Sequence, residues 1–524
     1  MRTAFACLTL ALVACTDLTE VPYGEVTEKN VKPSIGSLIA PAYTPLRRVW
    51  MGWYGNLDFQ EETADELLTP VRPNGWYDGG TYISLHKHLW DATQGQPATL
   101  WGNAFSGINN VNRIIYQIQA GVVPVPDTSK PRLIAELRAL RAYNYSLLLD
   151  NFGNVPIVTD FKATGLPDQA TRQQVYDFVV QELTSTLPDL SPAKGTAMYG
   201  RMNRWAAYGI LARVYLNAEV YTGTPHYDLV LPATQAIMDS GGYALEAKYR
   251  APFARNNDKS IEIIWAVPYD AINATESNFH MKTLKPELRF VFNLQAQPWG
   301  GSASNPQFID TYDSLDTRLH DTWLMGPQFD AQGRGYNFIK RVPRIDSTQF
   351  NNGYPVWKYE VYAGETGASD VDYPIIRYAE VLMMRAEALL RTGQADAAAA
   401  LVTQVRQRAF AATDPARAVV TGAELMMSSR YDYGWSDIDG VVKSGPGGTP
   451  VTGGGDDVVY GRFLDELGWE FAGEGHRRQD MIRFGIFTTK TWFNHAPNGA
   501  YRTLFAIPEN AMTTNSKLKQ NPGY

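Results

Sequence analysis

The stretch that decides the fold is residues 375–409, IIRYAEVLMMRAEALLRTGQADAAAALVTQVRQRA. It contains two segments with helical periodicity, Arg377 to Arg391 and Ala395 to Ala409, separated by the short break Thr392–Gln394. The apolar residues of the first segment recur at steps of four, three, four and three, which predicts one apolar stripe on a helix. The stripe consists of Ile375, Ala379, Leu382, Ala386 and Leu389. Two helices joined by so short a break are expected to pack antiparallel.

The same arrangement is predicted twice earlier in the chain. A helix from Pro131 to Asp150 is followed by a loop and a helix from Thr171 to Leu187. A helix from Asn203 to Tyr221 is followed by a turn and a helix from Tyr227 to Ser240. These pairs resemble tetratricopeptide hairpins, although no strict 34-residue period is present. A scaffold of such pairs leaves one long face free for a partner.

Two long regions interrupt the helical pattern. Residues 50–100 are rich in Trp, Tyr, Gly and Pro, and residues 250–370 combine short β-like runs, such as Ile261 to Val267, with many turns. Residues 444–455 are mostly Gly, Pro and Thr, which is typical of a flexible loop. Irregular stretches this long inside a compact protein are usually functional. The predicted fold is therefore mostly α, a tetratricopeptide-like helical hairpin scaffold with large irregular loop-rich insertions and minor β.

Composition excludes several classes of protein. The 524 residues are 44% hydrophobic and 19% charged, which excludes a disordered chain. The net charge of −7 provides no basic footprint for nucleic acid. The chain has 13 Trp and 29 Tyr, and amphipathic aromatic side chains are favoured on surfaces that bind something.

The N-terminus predicts export and lipid anchoring. Met1-Arg2 precedes a short apolar stretch, Ala4 to Ala14, which is too short to span a bilayer and is typical of a signal peptide. Leu12-Val13-Ala14-Cys15 resembles the bacterial lipobox, so we expect cleavage before Cys15 and acylation of Cys15; plain secretion is the alternative. This predicts a signal peptide over 1–14, a lipidated leader over 15–34 and one domain over 35–524, with ligand-facing insertions near 50–100 and 250–370.

Common catalytic and metal-binding signatures are missing from the sequence. It contains no Gly-Lys-Ser/Thr, no Gly-x-Ser-x-Gly and no His-Glu-x-x-His. The segment 437–440 is only faintly similar to a calcium loop. His86 and His88 lack a third ligand nearby in sequence, so we expect them to be ordinary packing or surface residues. No metal and no cofactor is predicted.

Two acidic clusters leave alternatives open. The late acidic helix places three carboxylates on one face, those of Glu466, Glu470 and Glu474. They could form a carboxylate site, as in a glycosidase, but arginines follow directly and favour an ion-pair network. The early acidic cluster is predicted to be a solvated face; it consists of Glu61, Glu62, Asp65 and Glu66.

The candidate binding residues are aromatic side chains in the irregular regions. Sugar rings present flat C–H faces and hydroxyl edges; aromatic rings can stack on the faces, and polar side chains can bond the edges. The predicted ligand-binding residues are Trp76, Tyr77, Trp90, Trp299, Tyr312 and Trp323. The alternative for each is that it packs a loop, because large aromatic side chains are mostly buried.

Blocks along the whole chain, in a fixed order, resemble one family. They are Trp101 with Gly107–Asn112, Arg138–Pro156, Arg204–Leu216, Tyr373–Ala388, Glu466–Arg483, Leu504–Pro508 and Gln520–Tyr524. With the lipobox, they make the chain similar to the SusD/RagB-like nutrient-binding outer-membrane lipoproteins. The resemblance implies a mostly α fold with four tetratricopeptide-like hairpins, seated as a lid on a TonB-dependent, SusC-like transporter. The matching blocks are mainly scaffold, so the resemblance places no ligand residue.

The expected function is non-catalytic. We expect a lipid-anchored outer-membrane lipoprotein that is exposed at the cell surface, binds an oligosaccharide, delivers it to the transporter and has no nucleic-acid partner. The alternatives are the same uptake role with a peptide or another nutrient as cargo, a glycoside hydrolase, and a helical-repeat adaptor that binds only protein.

Overall fold

The fold consists of helices that pack largely in the order of the chain. The computed structural model describes residues 34–73, 77–436 and 454–524. The helices in these residues are α1 (Ile35–Trp50), α2 (Asn56–Glu62), α3 (Thr81–His86), α4 (Gly95–Gln119), α5 (Lys130–Phe152), α6 (Arg172–Thr186), α7 (Arg204–Leu216), α8 (Ala218–Thr222), α9 (Tyr227–Asp239), α10 (Phe279–Thr283), α11 (Leu288–Val291), α12 (Pro306–Ile309), α13 (Thr317–Thr322), α14 (Tyr378–Arg391), α15 (Ala395–Phe410), α16 (Gly422–Leu425), α17 (Gly461–Phe471), α18 (Arg477–Arg483) and α19 (Glu509–Thr514). The strands are β1 (Leu67–Leu68), β2 (Ile263–Val267), β3 (Ala303–Ser304), β4 (Gly326–Phe329), β5 (Gly335–Phe338) and β6 (Tyr373–Arg377).

The scaffold is a series of packed helix pairs. α5 packs with α6, α7 with α9, α14 with α15, and α17 with α18. Arg141 on α5 is paired with Glu182 on α6 at 2.6 Å. The N-terminus of α6 is fixed by a capping box between Thr171 and Gln174, which satisfies backbone N–H groups that a helix start leaves unpaired. The predicted mostly α scaffold is confirmed.

The strands are few and short, and one of them corrects the sequence prediction. β2 pairs antiparallel with β6, β1 with β3, and β4 with β5. Ile375 therefore lies in a strand and not on the predicted helical stripe, and the helix begins at Tyr378. The β-branched pair Ile375–Ile376 suits a buried strand, and β2 supplies the partner that the local sequence pattern does not reveal. The predicted helix from Asn203 to Tyr221 is likewise divided at Asn217 into α7 and α8.

Residues Ile39–Tyr524 form one compact unit. Of the described helices, none is both long enough and apolar enough to cross a bilayer. The predicted signal peptide, the lipidation site Cys15 and the calcium-like segment 437–440 lie outside the described residues.

Buried ion pairs join the late acidic helix, α17, to the rest of the core. Arg377 at the end of β6 bonds Glu262, Glu470 and Glu474 at 2.7–2.8 Å. Although burial alone would raise it, the pKa of Glu470 is held at about 2 by Arg408, Arg377 and Arg318. The carboxylates of Glu466, Glu470 and Glu474 are all paired with basic side chains, so the ion-pair interpretation of this segment is confirmed.

The prediction that the early acidic cluster is a solvated face is wrong. Glu61, Glu62, Asp65 and Glu66 are all at most 1% exposed. α2 lies in the core, where Glu62 pairs with Lys282 at 2.6 Å and Asp65 pairs with Arg477 at 2.7 Å. Sequence spacing identified a charged stretch but could not show that distant basic residues meet it.

One member of this cluster gives a pH-dependent prediction. Burial is the main cause that raises the pKa of Glu61 to about 7. When folding raises the pKa of a carboxyl group, the folded state loses stability as the pH rises from the unfolded-state pKa, about 4.5, to the folded-state pKa. In Glu61→Gln, the amide oxygen can still accept the hydrogen bond that the Gly475 N–H donates to Glu61 at 2.6 Å. The amide cannot ionise.

We therefore expect the free energy of unfolding of Glu61→Gln, relative to the wild type, to increase by about 2–3 kcal/mol between pH 4.5 and pH 7.5. Urea denaturation at the two pH values measures this difference. A constant difference between the two proteins would show that Glu61 does not titrate in this range.

His86 and His88 are packing residues. Both are fully buried, and their Nε2 atoms lie 2.6 Å from the Phe493 carbonyl oxygen and 2.8 Å from the Thr63 carbonyl oxygen. Burial lowers the pKa of His86 to about 4 and that of His88 to about 3, so both are neutral at physiological pH.

Candidate functional site

An aromatic patch is formed where three segments of the irregular regions meet. We define it as Trp53, Tyr54, Tyr77 and Trp299. The rings of Trp53 and Tyr54 stack at a centroid distance of 5.2 Å and an angle of 23°. Trp53 and Trp299 meet nearly at right angles, 81°, with centroids 4.9 Å apart. Trp53 therefore has one neighbouring ring stacked on it and another that meets it edge to face.

The patch is accessible to solvent. Tyr77 is 53% exposed and Trp53 is 36% exposed. Tyr54 and Trp299 are half-buried. Large aromatic side chains held partly in solvent provide apolar faces that a ligand can cover.

The buried ring of Tyr82 lies beneath the patch. Tyr82 is 2% exposed and meets Trp53 and Tyr54 edge-on, with centroids 6.3 and 6.4 Å away. The Lys282 ammonium lies 4.1 Å from the centroid of the Tyr82 ring. The same ammonium is paired with Asp58 and Glu62 on α2. Burial raises the pKa of Asp58 to about 6, although Lys282 opposes this.

Backbone contacts hold the patch in place. The N–H of Trp299 donates to the Met281 carbonyl oxygen at 2.6 Å, and Gly301 donates to Lys282 at 2.8 Å. The ring of Tyr54 lies against Gly95 so closely that a Cβ there would be 2.9 Å from it. The start of α4 thus needs a glycine for Tyr54 to occupy its position.

An acidic side chain lies at the edge of the patch. The hydroxyl of Tyr54 donates to Oδ2 of Asp78 at 2.9 Å. Burial, and then Asp78 and Asp58, raise the pKa of Tyr54 to about 12. The backbone of Asp78 has φ +46°, a region that non-glycine residues seldom occupy and that clusters at functional sites.

A separate cavity of about 350 Å³ lies between α4, the loop before α6 and α19. It is mostly apolar, and its lining includes Trp101, Phe105, Ile108, Leu166 and Leu518. Trp101 is only 9% exposed. The cavity therefore offers less aromatic face than the patch.

The comparisons with known proteins decide the family. The SusD family model matches residues 240–524, which is more than half of the chain. The chain belongs to the SusD family. A second family model, described as "Starch-binding associating with outer membrane", matches residues 53–216 of this SusD-family chain. The SusD/RagB-like family inferred from the sequence blocks is confirmed.

Individual relatives agree with this membership. The starch-binding protein SusD of Bacteroides thetaiotaomicron is 25% identical, over 88% of this chain and 84% of the relative. A SusD superfamily structure from Parabacteroides distasonis has a TM-score of 0.72 at 19% identity and covers 95% of this chain and 100% of its own. Surface glycan-binding protein A from B. thetaiotaomicron, in complex with laminarihexaose, has a TM-score of 0.68 at 21% identity, over 93% and 98% of the two chains. The two structures show the shared SusD-family fold.

The predicted ligand-binding residues differ in where the structure places them: some lie at the patch and others are buried. Trp299 contacts Trp53 in the patch, Tyr77 directly precedes Asp78, which bonds Tyr54 at its edge, and Trp76 lies outside the described residues. Trp90, Tyr312 and Trp323 are buried, at 0%, 9% and 1% exposure, so they have no face free for stacking in this SusD-family structure.

Each buried ring has a packing role. The indole N–H of Trp90 donates to the Tyr524 hydroxyl at 2.6 Å. Tyr312 packs against Phe308 and Trp469, with ring centroids 5.4 and 6.0 Å away. Trp53 and Tyr54 were not among the predicted ligand-binding residues, although they lie in the Trp-, Tyr- and Gly-rich region 50–100 that was predicted to be functional.

Proposed function

We propose that this protein binds a glycan chain at the aromatic patch, does not cleave it, and delivers it to a TonB-dependent, SusC-like transporter of the outer membrane. The observation that carries the proposal is the open group of rings contributed by Trp53, Tyr54, Tyr77 and Trp299. Membership of the SusD family supports a sugar as cargo, as do relatives described as starch-binding and as bound to laminarihexaose.

The chemistry of the patch suits sugar rings. Trp53 and Trp299 offer faces to the C–H surfaces of pyranose rings, and Tyr77 extends this surface into solvent. The hydroxyls of the tyrosines and the Asp78 carboxylate can bond sugar hydroxyls at the edges. Trp76, next to Tyr77 in sequence, remains a proposed further platform. Each exposed platform contributes on the order of 1 kcal/mol, so single-site affinity is modest.

The charge arrangement supports binding without hydrolysis. Glycoside hydrolysis uses two carboxyl groups placed on either side of the scissile bond. The late acidic helix was the sequence candidate for such a pair, and its carboxylates are buried and bonded to arginines, as for Glu466 with Arg406 and Glu474 with Arg377. They have no access to a sugar held at the patch.

The cellular part of the proposal rests on the N-terminus and the family. Acylation at Cys15 would anchor the protein in the outer membrane, as the lipobox and the description of the matching family model suggest. The helical scaffold leaves a long face free for the transporter.

A glycan array with the soluble protein beginning after Cys15 tests the cargo. We expect retention of at least one glycan without release of reducing ends, and retention of the transporter in a pull-down from the native envelope. Reducing-end release would favour a hydrolase. Binding of peptides with no response to any glycan would replace the sugar by another nutrient.

A pair of glycine substitutions tests the placement of Tyr77. Gly79 and Gly80 both have positive φ, +64° and +80°, so Ala at either position is strained. A Cβ at Gly80 would lie 2.7 Å from the Tyr77 hydroxyl, whereas a Cβ at Gly79 meets nothing within 4 Å. Gly80→Ala should therefore displace Tyr77, and Gly79→Ala serves as its matched control.

We expect the dissociation constant for the retained glycan to be about three- to fivefold higher for Gly80→Ala than for Gly79→Ala, as the loss of one platform predicts. Fluorescence titration measures both constants. Equal constants for the two variants would remove Tyr77 from the site.

A further inference from the structure

The edge of the aromatic patch carries a carboxylate that has no ion-pair partner among the described residues. Asp78 is half-buried and accepts one hydrogen bond, from Tyr54. None of the ion pairs in the described part of the chain includes Asp78. Its carboxylate therefore faces the patch as an acceptor that a ligand can still engage.

The basic groups packed beside the patch are already bonded. The Lys282 ammonium pairs with Asp58 and Glu62, so this buried group of three carries one more negative than positive charge when both carboxylates are ionised. Lys285 donates to the Ser302 carbonyl oxygen. Arg72 donates to the carbonyl oxygens of Gly301, Ser302, Gln349 and Asn352.

These three basic side chains are buried, at no more than 3% exposure. Their donors are not available to a carboxylate or a sulfate on a ligand. Aromatic faces attract cations through the ring quadrupole, and a nearby carboxylate adds a Coulomb attraction. The patch thus combines the two features that favour a ligand ammonium, and none of these three described basic side chains offers a donor to a ligand anion.

We infer that the aromatic patch prefers sugars that carry a protonated amine over neutral sugars, and neutral sugars over sugars that carry a carboxylate, with Asp78 as the residue that pairs with the ammonium. This inference rests on the proposed function, because it concerns the cargo of the same site. It names amino sugars as the class of glycan that the site accepts best.

Monosaccharides test the inference without knowledge of the linkage. Tryptophan fluorescence is titrated with glucosamine, glucose and glucuronate at pH 6.5 and low ionic strength. We expect glucosamine to bind about fivefold more tightly than glucose, and glucuronate to bind more weakly than glucose. The preference for glucosamine should decrease as salt is added, because salt screens the Coulomb attraction.

Two variants assign the preference to one residue. Asp78→Asn should bring the ratio of the glucosamine and glucose affinities to about one. Asp168→Asn removes an equal charge from the loop before α6, where Asp168 pairs with Lys517, and should leave the ratio unchanged.

Equal affinity for the three sugars would overturn the inference, as would a preference that survives in Asp78→Asn or an absence of response to all three. Its failure is distinct from failure of the proposed function. Neutral glycans retained on the array without any preference for amines would refute only this inference, whereas no retained glycan of any charge would refute the proposed function.

Discussion

Replacing Arg377 with methionine is expected to lower the free energy of unfolding by about 3–5 kcal/mol, because it removes one of the basic partners of three buried carboxylates. Arg377 is 1% exposed and bonds three glutamates, Glu262 just before β2, Glu470 near the end of α17 and Glu474 in the turn after it. Methionine fills similar space but supplies no charge and no donor. Urea denaturation at pH 7 measures the change.

A second arginine provides the control for this substitution. Arg344 pairs with Asp346 at 2.8 Å, but both side chains are more than half exposed. Exposed pairs of this kind contribute little, so Arg344→Met should change stability by less than about 0.5 kcal/mol. If the two variants lost the same small amount, the buried network would not be a main determinant of the fold.

Replacing Trp53 and Trp299 together with alanine is expected to raise the dissociation constant for the retained glycan at least tenfold. Each face contributes on the order of 1 kcal/mol, and two such losses give about a 30-fold change if they add. The two rings touch, with centroids 4.9 Å apart, so additivity is not assumed. Affinity electrophoresis in a gel that contains the glycan measures the loss.

Phe161→Ala is the matched control for the two tryptophans. Phe161 is an exposed aromatic side chain, at 45%, in the loop before α6 and outside the patch. Its removal should leave retention unchanged. Retention by the double variant equal to that of Phe161→Ala would show that the glycan binds elsewhere.

The scaffold could be predicted from the sequence because its determinants are local. The helical segment predicted over 395–409 is α15, Ala395–Phe410, since small and apolar residues recur there at helical spacing and a Gly-containing break precedes them. Ile375 was misplaced because its strand depends on pairing with β2, more than a hundred residues earlier in the chain. Pairing partners at that separation leave no trace in local periodicity.

The candidate site could be predicted only as a region. The sequence does not distinguish Trp323 from Trp299, since both are tryptophans in an irregular segment. In the structure, Trp323 is 1% exposed, whereas Trp299 contributes to the patch. Which ring is buried depends on contacts such as that between Trp323 and Phe308, whose centroids lie 6.2 Å apart. The early acidic cluster shows the same limit, because Lys282 and Arg477 reach it from distant segments.

The most direct test is a crystal structure of the protein with an oligosaccharide that it retains. The account predicts an intact chain whose rings lie against Trp53, Tyr77 and Trp299, with Asp78 at the edge. A chain cleaved in the crystal, or one seated instead in the cavity lined by Trp101 and Phe105 with the patch empty, would contradict it.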